Sequence, residues 1–378
     1  MRKTDLLIIG GGPAGLLLSN LYKNSILLEK ENSCGKKLLL TGGGMCNFTH
    51  QESPREIINH YYEKKSFVSS SLGSFPPDKI ISYFASIGVE SFTRDDGCVF
   101  PKEKKAEAVL NALLKNSGEI ITSVKIEAIS KEEDTFLVST NIGVFSSPHL
   151  VIATGGQSYP GTGSTGDGYK IAKQFGHSIT PIKAGLSEIK IKDSFPHLEG
   201  LSIENVKLKV GKAETEGDLL FTHRGISGPG PMRLSRFIEN DKLSICFYPL
   251  KEEVLLKAIS KKSIKNTLKE LTGLPSAFLE ALFPFGEKNF SSLSTKERKE
   301  IISKLNNFTT EASTTGLLGA ATVTKGGVDT QEVDKKTFES KLVKGLYFIG
   351  EVLDVDGECG GYNLTFAFSS AFSVFKAL

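Results

Sequence analysis

The first 29 residues constrain this chain more than any other stretch. Residues 5–9, Asp-Leu-Leu-Ile-Ile, read as a short buried strand running straight into Gly10-Gly11-Gly12-Pro13-Ala14-Gly15. An apolar helical pattern follows over 16–22, then a second strand over 25–28 that ends at Glu29. Strand, glycine turn, helix, strand and acid make a βαβ unit of the parallel-sheet type. In that setting Gly10 permits the tight turn, Gly12 lets backbone approach a pyrophosphate, and Gly15 lets helix and strand pack closely. Pro13 and Ala14 lie in the same turn, where a helix N-terminus offers N–H groups to the anion. Glu29 stands where an acid accepts the hydrogen bonds of a ribose diol, and an acid there argues against a 2′-phosphate.

Three later glycine motifs bear on the ligand. In Gly35-Lys36-Lys37 through Thr41-Gly42-Gly43-Gly44-Met45-Cys46-Asn47, three glycines allow backbone to pass close to a flat ligand. Lys36 or Lys37 faces the pyrophosphate in this reading, with Thr41, Gly43 and Asn47 as further contacts. An apolar strand ending in Ala153-Thr154-Gly155-Gly156 is the return strand of many FAD domains, and it tips the cofactor from NAD to FAD. Near the end, Leu346-Tyr-Phe-Ile leads to Gly350-Glu351, Asp354, and Gly361-Tyr362-Asn363 at the start of an apolar helix. The acid there meets ribityl hydroxyls, and the helix N-terminus points at the pyrimidine edge of the flavin. Its partial charge stabilises the anion that develops on reduction by about 0.3–1 kcal/mol, up to about 2 when partly buried. Lys30 and Ile126 complete the expected FAD contacts. A second Gly-x-Gly-x-x-Gly, at Gly161, Gly163 and Gly166, is a decoy, because Tyr159-Pro160 precedes it in place of a strand. No second, dedicated nicotinamide domain is visible.

For the chemistry itself the candidates are Cys46, His223 and Arg224. Cys46 is the first choice of acid and His223 the second. His223 and Arg224 sit in a glycine-punctuated turn, Phe221-Thr-His-Arg-Gly225, where Arg224 would hold an anionic or carbonyl group of a substrate. No nucleophile elbow, HExxH or Walker pattern supports a hydrolase or kinase.

The chain has 378 residues, 46 Lys+Arg and 43 Asp+Glu, which suggests two or three domains; a net charge of +3 neither announces a nucleic-acid binder nor excludes one, since a local basic face can hide in a near-neutral total. Five scattered cysteines, never spaced as CxxC, argue against disulfides and zinc and fit a reducing cytoplasm. Met1-Arg2-Lys3 is followed by too short an apolar run for a signal peptide, and no stretch approaches the roughly 20 residues of a membrane span. A soluble, cytoplasmic protein without metal is expected. Helical patterns recur at 78–88 and 104–116, hairpin-like strands near 119–129 and 134–145, and alternating segments at 186–192, 201–210, 217–222 and 242–248. From about 251 to 308 the text is helical and Lys/Glu-rich, with a break at Phe283-Pro-Phe-Gly286.

At this point the chain resembles, nearly end to end, the BaiN/RdsA-like flavoproteins. The resemblance rests on Gly10–Gly15, Thr41–Asn47, Ala153–Gly156, Ser164–Tyr169, Phe221–Pro229, Thr324–Asp329 and Gly350–Asn363. It departs from that family at His50, usually Asn, at Cys98, usually Arg, and at Cys359, a common Thr. The resemblance implies an α/β fold, a three-layer FAD-binding Rossmann-like domain interrupted by an inserted β-barrel and a small helical subdomain. The boundaries expected are 1–186 with 326–378 for the FAD domain, 187–250 with 311–325 for the barrel, and 251–310 for the helices. It also implies an FAD-dependent oxidoreductase that takes hydride from NAD(P)H and reduces an activated C=C bond. The favoured substrate is uridine in 23S rRNA, giving dihydrouridine; the alternatives are a steroid or enone reductase and an amine oxidase. Residues 181–330 hold 22 Lys+Arg against 18 Asp+Glu. That excess leans towards an RNA-facing insertion, with Lys207, Lys209, Lys212, Lys261, Lys262 and Lys265 as phosphate contacts.

Overall fold

The structure is a computed structural model that describes residues 1–258, 260–284, 288–314, 316 and 318–378. It divides into two units, Met1–Lys183 with Ala321–Leu378, and Ala184–Ala320.

The first unit is built on a five-stranded parallel sheet in the order Leu346–Phe348, His149–Ile152, Leu6–Ile9, Ser25–Leu28 and Glu119–Ile121. Every residue of Leu6–Ile9 and Ser25–Leu28 is buried. Strands covered on both faces read as unbroken apolar runs, and burying each Leu or Ile contributes about 1.5–3 kcal/mol. The first helix spans Pro13–Leu21 and starts earlier than its apolar pattern because Pro13 presets the helical φ. Its polar face is buried and satisfied. Asn20 Nδ2 donates to the Leu113 carbonyl at 2.8 Å, and Ser19 Oγ accepts from the Gly118 N–H at 3.1 Å. The last helix, Tyr362–Ala377, packs against the first.

The span expected as one strand near 119–129 is split between two sheets. Glu119–Ile121 joins the parallel sheet, while Ile126–Glu132 opens an antiparallel meander with Thr135–Thr140 and Gly143–Ser147. The chain is redirected at Ser123, which has a φ of 59°. The Ser123 and Val124 N–H groups donate to the carbonyls of Glu31 and Glu29. A left-handed serine carries no periodicity, so the pattern did not reveal it. The sequence also did not flag the helix Lys65–Ser74, whose serines dilute its apolar stripe.

The second unit is a closed six-stranded barrel. Its order is Ile189–Ile191, Gly225–Ser227, Ala213–Phe221, Ser202–Val210, Asn240–Cys246 and Phe308–Thr314. Ile203, Val206, Leu208 and Val210 point inward, with a register shift at the left-handed Asn205. Helices Glu252–Lys257, Ile264–Thr272, Ser276–Leu282 and Thr295–Asn306 share its core, where the Phe247 and Phe278 rings lie 4.7 Å apart. The last barrel strand begins at Phe308, inside the span assigned to helices, and residues 321–325 fall with the first unit rather than the barrel. Of the expected break at Phe283–Gly286, Phe285 and Gly286 lie outside the described residues. Among the described residues no helix is long and apolar enough to cross a membrane.

Gly225→Ala tests the barrel's closure. A Cβ there would lie 2.0 Å from the Ile189 carbonyl oxygen, which the facing strand holds in place. The substitution is expected to lower stability by about 1–3 kcal/mol or more, read as a lower urea midpoint. Gly73→Ala, with open space around its Cα in a helix, is the control and is expected to leave the midpoint unchanged or raise it.

Candidate cofactor site

The opening turn makes three separate demands on its glycines. Gly10 has a φ of +112°, and a Cβ there would sit 2.5 Å from the Ala153 carbonyl oxygen. At Gly15 a Cβ would sit 2.1 Å from the carbonyl of Gly10. Gly12 is the opposite case: its nearest obstacle is 3.9 Å away, so this face lies open at the helix N-terminus. A tight turn, a close helix–strand approach and an open face are what a pyrophosphate cradle requires. Glu29 is fixed beside it, its carboxylate accepting from the Gly11 N–H at 2.6 Å and the Glu31 N–H at 2.8 Å. Two oxygens offer about four acceptor positions, so capacity remains for a ribose diol. Ile126 lies just beyond Val124, whose N–H is bonded to the Glu29 carbonyl at 2.9 Å. Lys30 turns elsewhere, to Asp167 at 2.6 Å and Thr165 at 2.5 Å.

The glycine loop after Leu38 runs through three consecutive left-handed residues, Gly42, Gly43 and Gly44. Nothing lies within 4 Å of a Cβ built on Gly43, so backbone alone lines this face. Cys46 follows with a φ of 60° and is fully buried. Burial pushes its thiol up to about 12, against a smaller opposing effect of the Thr41 hydrogen bond. Of the two lysines, Lys36 pairs with Glu31 at 2.6 Å, while Lys37 reaches Glu351 at 2.9 and 2.7 Å. Glu351 also accepts from Ser158 Oγ at 3.0 Å and the Thr324 N–H at 2.8 Å. A Cβ on Gly156 would strike Thr324 Oγ1 at 2.3 Å, so the Ala153–Gly156 turn closes against this network. A Cβ on Gly350 would lie 3.0 Å from the Ala14 Cβ, which brings the two chain ends to one place.

At the last helix, Gly361 is left-handed, and a Cβ there would meet the Thr49 carbonyl at 2.7 Å and Asn47 Oδ1 at 2.8 Å. The Asn363 side chain is spent locally, accepting from the Gly357 N–H at 2.8 Å and donating to the Gly357 carbonyl at 3.0 Å. Asp354 pairs with Lys64 at 2.6 Å. The first intrahelical bond runs from the Thr365 N–H to the Gly361 carbonyl. The N–H groups of Tyr362, Asn363 and Leu364 therefore point out of the helix end. What Tyr362 and Asn363 offer a ligand at this helix end is their backbone N–H groups.

Three buried side-chain atoms have no hydrogen-bond partner here: Asn47 Oδ1, Thr154 Oγ1 and Tyr169 OH. All three fall on motifs singled out in the sequence, and burial, with Glu351 and Asp354 nearby, raises the Tyr169 phenol above its ordinary value. Buried polar atoms in native proteins are almost always satisfied. A ligand with phosphates, hydroxyls and a heteroaromatic edge matches these atoms, the cradle and the helix end, so the residues present fit FAD.

His223 and Arg224 are exposed at a turn of the second unit, His223 Nδ1 lying 3.7 Å from Glu199. Of the six lysines expected to meet phosphates, four face carboxylates. Lys207 lies 3.7 Å from Glu216, Lys209 is in register with Glu214, and Lys262 and Lys265 pair with Glu270 and Glu280. Sequence reasoning also missed Glu52, His60 and Glu358, which meet His50 and Tyr362 behind Gly361. The alternation His50-x-Glu52 was the only local signal for them.

Fold and site together define the class: an FAD-dependent oxidoreductase built on a Rossmann-like domain. The chain belongs to the family described as HI0933-like protein Rossmann domain, matched over residues 4–376. It is 32% identical to the ribosomal RNA dihydrouridine synthase of Escherichia coli (strain K12), over 99% of this chain and 97% of that protein. It is 29% identical to the 3-dehydro-bile acid delta(4,6)-reductase of Clostridium scindens, over 98% of each. Among solved structures, the fold is shared with 3-ketosteroid delta1-dehydrogenase from Sterolibacterium denitrificans, at a TM-score of 0.54 and 12% identity over 100% of both chains.

Glu351→Gln keeps the side chain's size and removes the charge that fixes Lys37. It is expected to weaken FAD retention about tenfold, equal to ~1.4 kcal/mol and the scale of one charge-assisted hydrogen bond. The ratio of flavin to protein absorbance across a dilution series measures this.

Proposed function

We propose that this chain uses bound FAD to carry hydride from NADH or NADPH to an activated C=C bond, with uridine of 23S rRNA as the substrate. The observation that carries this reading is the end-to-end match to a protein named for ribosomal RNA dihydrouridine synthesis, joined to a site that fits FAD. The match to a bile acid reductase supports a second reading, a small-molecule C=C reductase on the same site.

Bound FAD supplies two-electron storage between nicotinamide and substrate. The chain's part is to hold and polarise. The Gly10–Gly15 turn and the first helix's N-terminus grip the pyrophosphate, and Glu29 takes the ribose. Lys37 and Glu351 brace the middle of the cofactor as a neutral pair. The last helix directs its N-terminal N–H groups to where negative charge accumulates, which favours the reduced state. Reduction of uracil adds hydride at C6 and a proton at C5. Cys46 is the leading donor for that proton, because a thiol pushed up to about 12 is fully protonated at neutral pH. His223 is the second candidate, and Arg224 holds a substrate carbonyl or phosphate. Either donor has to come within about 2.6–3.2 Å of the accepting atom's path.

Deleting the gene is expected to remove a dihydrouridine from the large ribosomal RNA, restored by add-back and read by nucleoside analysis. Unchanged dihydrouridine, with turnover of a free enone by the purified protein, would transfer the assignment to the small-molecule reading. In rapid mixing, Cys46→Ala is expected to leave flavin reduction by NADPH intact and slow reoxidation by substrate about 10²–10⁴-fold.

A further inference from the structure

Directly behind the Gly360–Gly361 turn lies a group of titratable side chains with no place in the scheme above. The Tyr362 ring lies against two imidazoles in near-parallel orientation, 4.1 Å from that of His60 at 13° and 4.9 Å from that of His50 at 22°, the two imidazoles themselves being 6.5 Å apart. One carboxylate touches all three: Glu52 lies 3.2 Å from His60 Nε2, 3.4 Å from His50 Nε2, and accepts from the Tyr362 hydroxyl at 3.2 Å. Glu358 lies 3.0 Å from His60 Nδ1, and His50 Nδ1 is 3.0 Å from the Gly360 carbonyl.

Both ring nitrogens of His60 face carboxylate oxygens: Nδ1 is hydrogen-bonded to Glu358 at 3.0 Å, and Nε2 lies 3.2 Å from Glu52. A carboxylate only accepts, so this setting favours the ring that carries a proton on each nitrogen. Burial alone would favour the neutral ring, but the hydrogen bonds and charges of Glu358 and Glu52 outweigh it and raise the pKa above the ordinary histidine value. The groups facing His60 are Glu52, Glu358, Tyr362 and His50, with Cys98 3.9 Å behind His50. The nearby Lys64 is neutralised by Asp354. Burial, and then Glu52, raise the Tyr362 phenol, so it stays protonated and adds no charge.

Resting on the FAD reading above, we propose that His60 is a positioning residue: its ring, clamped between Glu52 and Glu358, seats the first turn of the last helix as a cation and, at pH values where it is neutral in the oxidised protein, takes up a proton when the flavin is reduced. Glu52 belongs to the segment after Thr49, whose carbonyl abuts Gly361, and Glu358 belongs to the loop that enters the helix. His60 therefore ties together the two stretches that form the helix's mouth. The charge balance is explicit. Hydride from reduced nicotinamide brings two electrons and one proton to the flavin and leaves one unit of negative charge. That charge raises the proton affinity of His60, which draws a second proton from water wherever the ring was neutral in the oxidised protein. The clamp is at full strength below the ordinary histidine pKa of about 6.5 and fades as pH rises through the raised value.

The test is the flavin midpoint potential of the holoprotein from pH 5.5 to 9.5, titrated with a reporter dye. For the native chain the potential is expected to fall more steeply with pH over a window above about 6.5 than on either side of it. In His60→Gln the steep window is expected to vanish, with its potential below the native one at low pH and converging on it at high pH. A native curve without the window overturns the proposal even if the variant does not fold. Two curves offset by a constant amount also overturn it, because a purely structural role would give that result. Glu358→Gln, which removes one arm of the clamp, is expected to shift the window to lower pH. A protein that retains no flavin after purification would instead defeat the FAD reading, so the two failures are distinct.

Discussion

A single carboxylate gathers the first unit. Glu351 takes an ammonium from Lys37, a hydroxyl from Ser158 and a backbone amide from Thr324, so four stretches distant in sequence converge on two oxygen atoms. The pair is neutral and mostly shielded from water, where a charge-assisted hydrogen bond is roughly twice as strong as a neutral one. The return turn at Gly155–Gly156, the lysine after the glycine-rich entry and the closing loop thereby share one reference point. The cradle at Gly10–Gly15 is joined to it through the contact of Ala14 with Gly350. Binding a long, jointed ligand requires such agreement, because each segment grips a different part of it.

The barrel unit has a different electrostatic character. Several of its lysines face glutamates, Lys207 and Lys209 across strands, and Lys262 and Lys265 among the helices. Exposed pairs of this kind contribute little to stability and cancel much of the field that would attract phosphates. The case for an RNA substrate thus rests on kinship, and the count of charges along the chain adds little to it.

How much could be read in advance followed from the range of the forces involved. The glycine turn was legible because each glycine answers a local demand: Gly10 and Gly15 leave no room for a Cβ, while Gly12 faces open space. The apolar strands were legible because burial on both faces leaves no alternation. The turn at Ser123 and the helix Lys65–Ser74 were not, since a left-handed serine and a serine-diluted stripe look like ordinary loop. The surroundings of the Tyr362 and Asn363 side chains were hidden for another reason. Both lie on the expected helix, but one packs against the His50 and His60 rings and the other braces its own loop, and tertiary neighbours decide such matters. The group around His60 was invisible because its members come from three separate stretches.

The parallel sheet has a consequence for how the protein is born. His149–Ile152 pairs on one side with Leu6–Ile9 and on the other with Leu346–Phe348, a partner about 190 residues downstream. At ~5–20 residues per second, a nascent chain carries that flank uncovered for roughly 10–40 s while the barrel is still being translated. An uncovered flank of Leu, Val and Ile is a template for pairing with other chains. During synthesis, the independent collapse of the barrel and the help of chaperones matter most in that interval, and a message truncated before codon 346 would yield a product prone to self-association.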